Sequence, residues 1–192
     1  MIRPIIAYGD PILKKKAAII NINESNDLTS LIDDMWETMY NAKGVGIAAP
    51  QIGVSKSIFV ADFSFFEEEE NFKSEELINM QQVFINPEII SEAGEDFIYP
   101  EGCLSIPNIS ENVVRKSIIK IKFLDQFFVS HEMHCSGIIA RVIQHEHDHL
   151  NGLLFTDKLS YKTRKLIKKE LNLISNGDID MKYDMKFYKK EN

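Results

Sequence analysis

The segment QHEHDHLNG, residues 144–152, contains three histidines within five positions. On an α-helix, His145 and His149 are four residues apart and project from one face, where both can bind the same metal ion. Glu146 lies about 100° further round such a helix, close enough to exchange a proton with a water on that metal without being a ligand. His147 is two residues from each of the other histidines, which turns it about 200° away. The motif therefore predicts a metal site on His145 and His149 and excludes His147.

A catalytic metal site of this kind uses three protein ligands and keeps one position open for water, so a third ligand is needed. Cys103 lies in YPEGCLSIP, which has a proline near each end and predicts a stiff loop that presents a thiolate and a backbone N–H together. A buried structural thiol is the alternative role for Cys103. HEMHC, predicted at a strand end where such side chains usually pack or face solvent, offers the competing candidates His131, His134 and Cys135, and the chain also offers many carboxylates.

Composition limits the classes of protein to which the chain can belong. Its 192 residues predict one domain, 1–192, with a core of ordinary size. The net charge of −7 argues against a nucleic-acid binder, so no DNA partner is expected. Without an apolar run near 18 residues or the features of a signal peptide, no membrane partner is expected either. Two cysteines are too few for a disulfide scaffold, which favours a cytoplasmic protein with reduced thiols.

The helices that must position these residues are predicted from apolar periodicity and capping. Apolar residues at 28, 31, 32, 35 and 39 predict the first helix, with Asp27 as its N-cap. The second helix is predicted at 137–150 and carries the histidines. The third is predicted at 160–175, with Ser160 as its N-cap and Asn176-Gly177 as its end.

Strands and loops alternate with these helices without a regular βαβ rhythm. Strand patterns occur at 57–62, 83–90 and 117–124, and the last is predicted to form an antiparallel hairpin with 127–135. Loops are predicted at 44–53 and around Cys103. The predicted class is α+β, with mixed or antiparallel sheets around the central HExxH helix, a C-terminal helix and a possible late strand.

Two further segments differ from the rest in composition. Residues 63–82 contain six Glu and one Lys, which predicts a solvated acidic surface insertion. The tail, 178–192, alternates apolar and polar residues from Ile179 to Phe187 and predicts a late edge strand.

Three segments in order resemble the signature motifs of the peptide deformylases: GVGIAAPQIG, EGCLS and QHEHDHLNG. AYGDPIL near the start and GLLFTDKL after the histidines also resemble that family, so the similarity covers residues 2 to 175. Each motif is moderately specific, whereas the ordered set of three is very specific.

The resemblance implies a metal-dependent hydrolase that removes the N-formyl group from the initiator methionine of nascent peptides and releases formate. One divalent ion would be bound, usually Fe(II) in this family, with Zn, Ni or Co able to substitute. Glu146 would be the general acid and base, activating a water on the metal that attacks the formyl carbon. The Gln51 amide and the Leu104 N–H would donate to the developing oxyanion. The implied metal ligands are Cys103, His145 and His149.

The resemblance also implies a substrate pocket, although ordinary core packing explains its residues equally well. Ser110 stands where some relatives have a peptide-binding arginine, so that role is not transferred. Arg115 is predicted to pair with Glu101 and brace the segment around Cys103. The implied substrate-binding residues are Val45, Gly46, Tyr99, Gly102, Ile138 and Val142.

A basic patch is predicted on the third helix, in an otherwise acidic chain. Between 157 and 170 there are six basic residues against two acidic ones, a balance of 6 − 2 = +4. In relatives such a helix can dock on the ribosome, and an ordinary solvated helix face explains the charges as well.

Two other functions compete with deformylation. A zinc endopeptidase built on HExxH usually takes a Glu or a third His downstream of the motif as its ligand. No His follows His149 in this sequence, and the next Glu is Glu170 in the basic helix. A non-catalytic protein stabilised by metal would close its site with four protein ligands, which leaves Glu146 and the oxyanion donors without a role.

Overall fold

The computed structural model describes residues 1–21, 25–68 and 72–188, so predictions for 69–71 and 189–192 lie outside the described residues. The helices are α1 (Ser25–Asn41), α2 (Gly137–Leu150), α3 (Tyr161–Leu166) and α4 (Lys168–Asn176). The strands are β1 (Ile5–Ile6), β2 (Gly46–Ala48), β3 (Ile58–Asp62), β4 (Gln81–Cys103), β5 (Ile106–Leu124), β6 (Ser130–Ser136) and β7 (Met185–Lys186). None of the helices in this part of the chain is both long and apolar enough to cross a membrane.

The main sheet has five antiparallel strands in the order β2-β3-β4-β5-β6, and β1 pairs with β7 in a separate parallel pair. The helix α2 packs on the main sheet, where Ile139 and Ile143 are fully buried in one cluster with Phe59 and Phe84. The predicted α+β class, with an antiparallel sheet around the HExxH helix, is confirmed. The predicted hairpin is also present, as β5 and β6.

The hairpin of β4 and β5 is much longer than the strand patterns predict, with 23 and 19 residues. Leu104 and Ser105 form its turn, because Cys103 pairs with Ile106. The prediction of a loop around Cys103 is therefore wrong: the cysteine ends a strand. Charged and proline residues hide this strand signal, and cross-strand pairing supplies the backbone hydrogen bonds that a loop would leave to water.

Three other predictions need correction. The predicted loop 44–53 contains β2 and a buried 3₁₀ helix, Ala49–Ile52, because its apolar residues join the core. The helix α1 begins at Ser25, which puts Asp27 inside the first turn and not at the N-cap. The third helix is interrupted at Ile167. Its ends are as predicted: the Ser160 side chain accepts from the Thr163 N–H at 3.1 Å, and Gly177 ends the helix at a φ of 79°.

The tail forms a strand only at β7, where Met185 pairs with Ile5. Burial nevertheless alternates along 179–187, as the sequence predicts.

The acidic segment 63–82 is held to the rest of the chain at several points. Phe63 is fully buried, and Phe66 packs against the main core cluster. The Glu76 carboxylate accepts from the Ser136 N–H and hydroxyl, both at 2.7 Å, directly before α2. Glu67 and Glu68 are exposed. The described part of the segment thus has exposed carboxylates and is anchored at the start of the histidine helix.

Candidate metal centre and cleft

The helix α2 presents His145 and His149 one turn apart on a single face. Their ring centroids are 5.0 Å apart with the rings nearly perpendicular, and His149 is 1% exposed. His147 contacts Asn151 and lies outside the group of potential metal ligands, as the helix geometry predicts.

The end of β4 brings Cys103 to the two histidines. Its Sγ lies 3.3 Å from Nε2 of His149, and one potential ligand atom from each of the three residues lies within 4.8 Å of the others. One cysteine sulfur and two imidazole nitrogens are donors that suit a transition-metal ion and leave a coordination position open.

The HEMHC residues take no part in this group. His131 pairs with Asp125 at 2.8 Å, and His134 is exposed. Cys135 is buried in the core, and this burial raises the pKa of its thiol to about 12.

The electrostatics of the two histidines suit a bound cation. Burial lowers the pKa of His149 well below its usual value, which leaves the neutral imidazole that metals require. Burial also disfavours the charged form of His145, but Cys103 and Glu101 outweigh it and raise its pKa to about 10. Positive charge is therefore favoured beside Cys103, where a cation would compete with that proton.

Glu101 contacts the Nδ1 side of the His145 ring. Its carboxylate is 2.9 Å from Nδ1 of His145, which orients the ring and leaves Nε2 for a metal. Arg115 donates to both carboxylate oxygens, at 2.6 and 2.9 Å, and Arg141 donates at 2.6 Å. Burial raises the pKa of Glu101, but Arg115 and His145 overcome it and hold the pKa far below its usual value. The predicted pairing of Arg115 with Glu101 is confirmed.

Glu146 is buried beside the two histidines, with its carboxyl facing β2. It is 4% exposed, and burial raises its pKa to about 7. Its Oε2 has no hydrogen-bond partner among the described residues. A Cβ on Gly46 would lie 2.7 Å from Oε1, so only glycine there lets β2 pass the carboxylate.

The Gln51 amide is oriented by its own helix. Its oxygen accepts from the Ala48 N–H at 2.8 Å, which turns the NH₂ group towards Cys103 Sγ at 3.5 Å and Ser105 Oγ at 3.3 Å. Gln51 can therefore act only as a donor towards the site.

A cleft of about 630 Å³ opens over these groups. The cleft is lined by Gln51, Cys103, Leu104, His145 and Glu146. All six residues predicted to bind substrate also line it: Val45, Gly46, Tyr99, Gly102, Ile138 and Val142.

The structure adds wall residues that the sequence analysis missed. Arg141 lines the cleft, and its spacing of four residues from His145 was an available signal. Phe66 comes from the acidic segment, and 180–183 come from the tail. No sequence signal connects either segment with the histidines.

Comparison with known proteins agrees with this geometry. Residues 2–165 match the model of the polypeptide deformylase family. The chain is 50% identical to the peptide deformylase of Christiangramia forsetii over 190 residues, covering 97% of this chain and 96% of the relative. The chain belongs to the peptide deformylase family. The resemblance indicated by the three motifs is thus confirmed. The protein is an enzyme of a metal-dependent family. The endopeptidase alternative is not favoured.

Solved structures of the family have the same fold. A peptide deformylase from Legionella pneumophila is similar with a TM-score of 0.78 at 38% identity, covering 93% of this chain and 98% of that one. The peptide deformylase from Plasmodium falciparum gives a TM-score of 0.79 at 34% identity, over 90% of this chain and 95% of that one.

Proposed function

We propose that this enzyme removes the formyl group from N-formylmethionine at the start of nascent peptides, with formate as the second product. The observation that carries the proposal is the meeting of three potential metal ligands with the buried carboxyl of Glu146, beside a cleft that Cys103, His145 and Glu146 line. The cleft of about 630 Å³ has room for the end of a peptide, and aliphatic side chains such as Val45, Ile138 and Val142 line it.

Cys103, His145 and His149 would hold one divalent ion. The mixed thiolate and imidazole donors suit Fe(II), Zn, Ni or Co, and we infer Fe(II) in the cell from the family resemblance. When bound, the ion supplies Lewis acidity, lowering the pKa of a water and polarising the formyl oxygen.

Glu146 performs the proton transfers. Its carboxylate removes a proton from the water as the water oxygen bonds to the formyl carbon, and it returns that proton to the departing amine nitrogen as the C–N bond breaks. Oε2 of Glu146 has no hydrogen-bond partner among the described residues, which leaves it free to take up the proton and return it.

Gln51 and Leu104 would stabilise the oxygen that becomes negative. The Gln51 NH₂ faces the site because its oxygen is held by the Ala48 N–H, and Leu104 follows Cys103 directly at the hairpin turn. One such donor typically contributes about 3–4 kcal/mol to lowering the barrier.

Formate release from a formyl-Met-Ala-Ser peptide tests the proposal. The protein should be purified without oxygen, because Fe(II) beside a thiolate is easily lost by oxidation. We expect release by the wild type, and a loss of about 10³-fold or more in kcat for Glu146→Ala with the metal retained.

The unformylated peptide is the control substrate. Cleavage of an unblocked peptide bond, with no formate under Fe(II), Ni or Co loading, would replace deformylation by endopeptidase activity.

We also propose that the enzyme acts in the cytoplasm and docks on the ribosome through α3 and α4. Lys162, Lys165, Lys168 and Lys169 are exposed there, which supports attraction to an RNA surface. Replacing all four by Glu should abolish co-sedimentation with ribosomes and leave hydrolysis of the free peptide intact. Unchanged co-sedimentation would mean that these lysines form an ordinary solvated face.

A further inference from the structure

The C-terminal tail returns from α4 to the mouth of the cleft. After Gly177 the chain runs past the site, and residues 180–183 line the cleft wall. The tail is anchored just beyond by β7, where the Ile5 N–H donates to the Asp184 carbonyl and the Ala7 N–H to the Lys186 carbonyl, both at 2.9 Å. The segment next to the cleft is thus held on both sides by the fold.

One side chain of this segment contacts the turn that follows Cys103. The Tyr183 hydroxyl donates to the Leu104 carbonyl at 2.7 Å, across 79 residues of sequence. Tyr183 and Leu104 both pack against a core cluster that includes Ile47 and Ile52. Burial, followed by the nearby Cys103, raises the pKa of Tyr183, so the phenol keeps its proton to donate.

Other groups hold the same turn. The Ser105 carbonyl accepts from the Tyr8 N–H at 2.8 Å, and Ser105 Oγ is 3.3 Å from the Gln51 amide. Leu104 lies between Cys103 and these anchors. The Tyr183 bond orients the peptide plane that follows Leu104 and limits how Leu104 can rotate.

We propose that Tyr183 is a positioning residue for the reaction: its hydroxyl holds Leu104 so that the backbone N–H faces the oxygen that becomes negative. The inference rests on the proposed deformylase function. Displacing a donor by a fraction of an ångström weakens the transition state more than the bound substrate. Tyr183 does not touch the reacting atoms and acts through Leu104.

The test is Tyr183→Phe in the full chain, which keeps the ring and its packing and removes only the hydroxyl. We expect kcat to fall about five- to tenfold while KM stays within about twofold, since one hydrogen bond is lost and the substrate contacts remain. Metal content per chain and Tm should match the wild type. Tyr188→Phe, an exposed tyrosine five residues on, is the matched control and should change none of these values.

A second readout is independent of activity. Hydrogen exchange at the amides of Leu104 and Ser105 should be several-fold faster in Tyr183→Phe than in wild type or Tyr188→Phe, with and without added metal. Unchanged kcat and unchanged exchange would overturn the proposal, as would a rise in KM alone, which would make Tyr183 a substrate contact. If amide exchange differs between Tyr183→Phe and wild type as expected but the wild type releases no formate, the proposed function is overturned and the contact from Tyr183 to Leu104 stands.

Discussion

Two segments of this chain combine histidine with acidic residues, and only one forms a candidate metal centre. HEHDH lies on α2, where residues four apart share a buried face and meet the end of β4. HEMHC lies on β6, where alternate side chains point to opposite faces. There Met133 and Cys135 pack into the core while Glu132 and His134 face solvent.

The surroundings of the two segments differ more than their composition. Behind His145 lies Glu101, held by two arginines and buried from solvent. The acidic partner of His131 is Asp125, and both side chains of that pair are about one quarter exposed. A metal centre of this kind needs a third ligand and a buried partner that orients a ligating histidine. Of the two segments, the one on α2 has both.

The largest effect expected from this comparison is on metal retention. His149→Ala should lose the metal and reduce formate release on the order of 10³-fold or more, because two ligands cannot hold the site. His134→Ala on β6 should keep full metal content and activity within about twofold, since the side chain is exposed. Metal analysis and formate assays on both variants check this, and metal loss from His134→Ala would contradict the assignment of the two segments.

A smaller effect is expected from the acidic partners of the two histidines. Glu101→Gln should weaken metal binding about 10- to 100-fold and lower the free energy of unfolding by about 3–5 kcal/mol, because it removes the carboxylate that two buried arginines share, and only Arg115 keeps another one, that of Asp148. Asp125→Asn should cost less than about 1 kcal/mol and leave metal affinity unchanged, because the pair is partly solvated. Chelator competition and urea unfolding measure both quantities. Equal destabilisation by the two variants would show that burial does not distinguish the sites.

The smallest expected effect is a pH dependence of the stability that the Asp125–His131 pair contributes. Burial raises the pKa of Asp125, but hydrogen bonds from His131 and from the Val129 and Phe127 N–H groups outweigh it and lower the pKa below its usual value. Because the folded pKa is depressed, the pair stabilises the protein above the unfolded pKa of about 3.9 and loses that contribution as pH falls through the folded pKa. The stability difference between wild type and Asp125→Asn should therefore shrink below about pH 4. Urea unfolding between pH 3 and 6 measures it, and a difference that stays constant over that range would refute the sign.

Periodicity and motif spacing were sufficient for the elements with a strong local signal. The helix α2 was predicted with both its bounds, and the exclusion of His147 followed from the helical turn alone. The hairpin of β5 and β6 was predicted from its alternation and turn. These features depend on residues close in sequence, whose geometry is set by backbone hydrogen bonds of one helix or one hairpin.

The outer half of the long hairpin was not predicted, and neither was the break at Ile167. Between Ser91 and Asp96 the strand pairs with residues about 20 to 29 positions away, and charged side chains on its solvent face conceal the alternation. The burial of the apolar 44–53 segment likewise depends on α1 and β3, which pack against it.

The sequence by itself determined the family, the fold class and the identity of the chemical groups, because ordered motifs carry specific residue types at specific spacings. Only the tertiary structure decided which groups meet. Three features each bring together segments separated by tens of residues. They are the 3.3 Å approach of Cys103 to His149, the hydrogen bond from Tyr183 to Leu104 and the position of Phe66 in the cleft wall. Such contacts are made by packing and long-range strand pairing, whose partners no local pattern specifies.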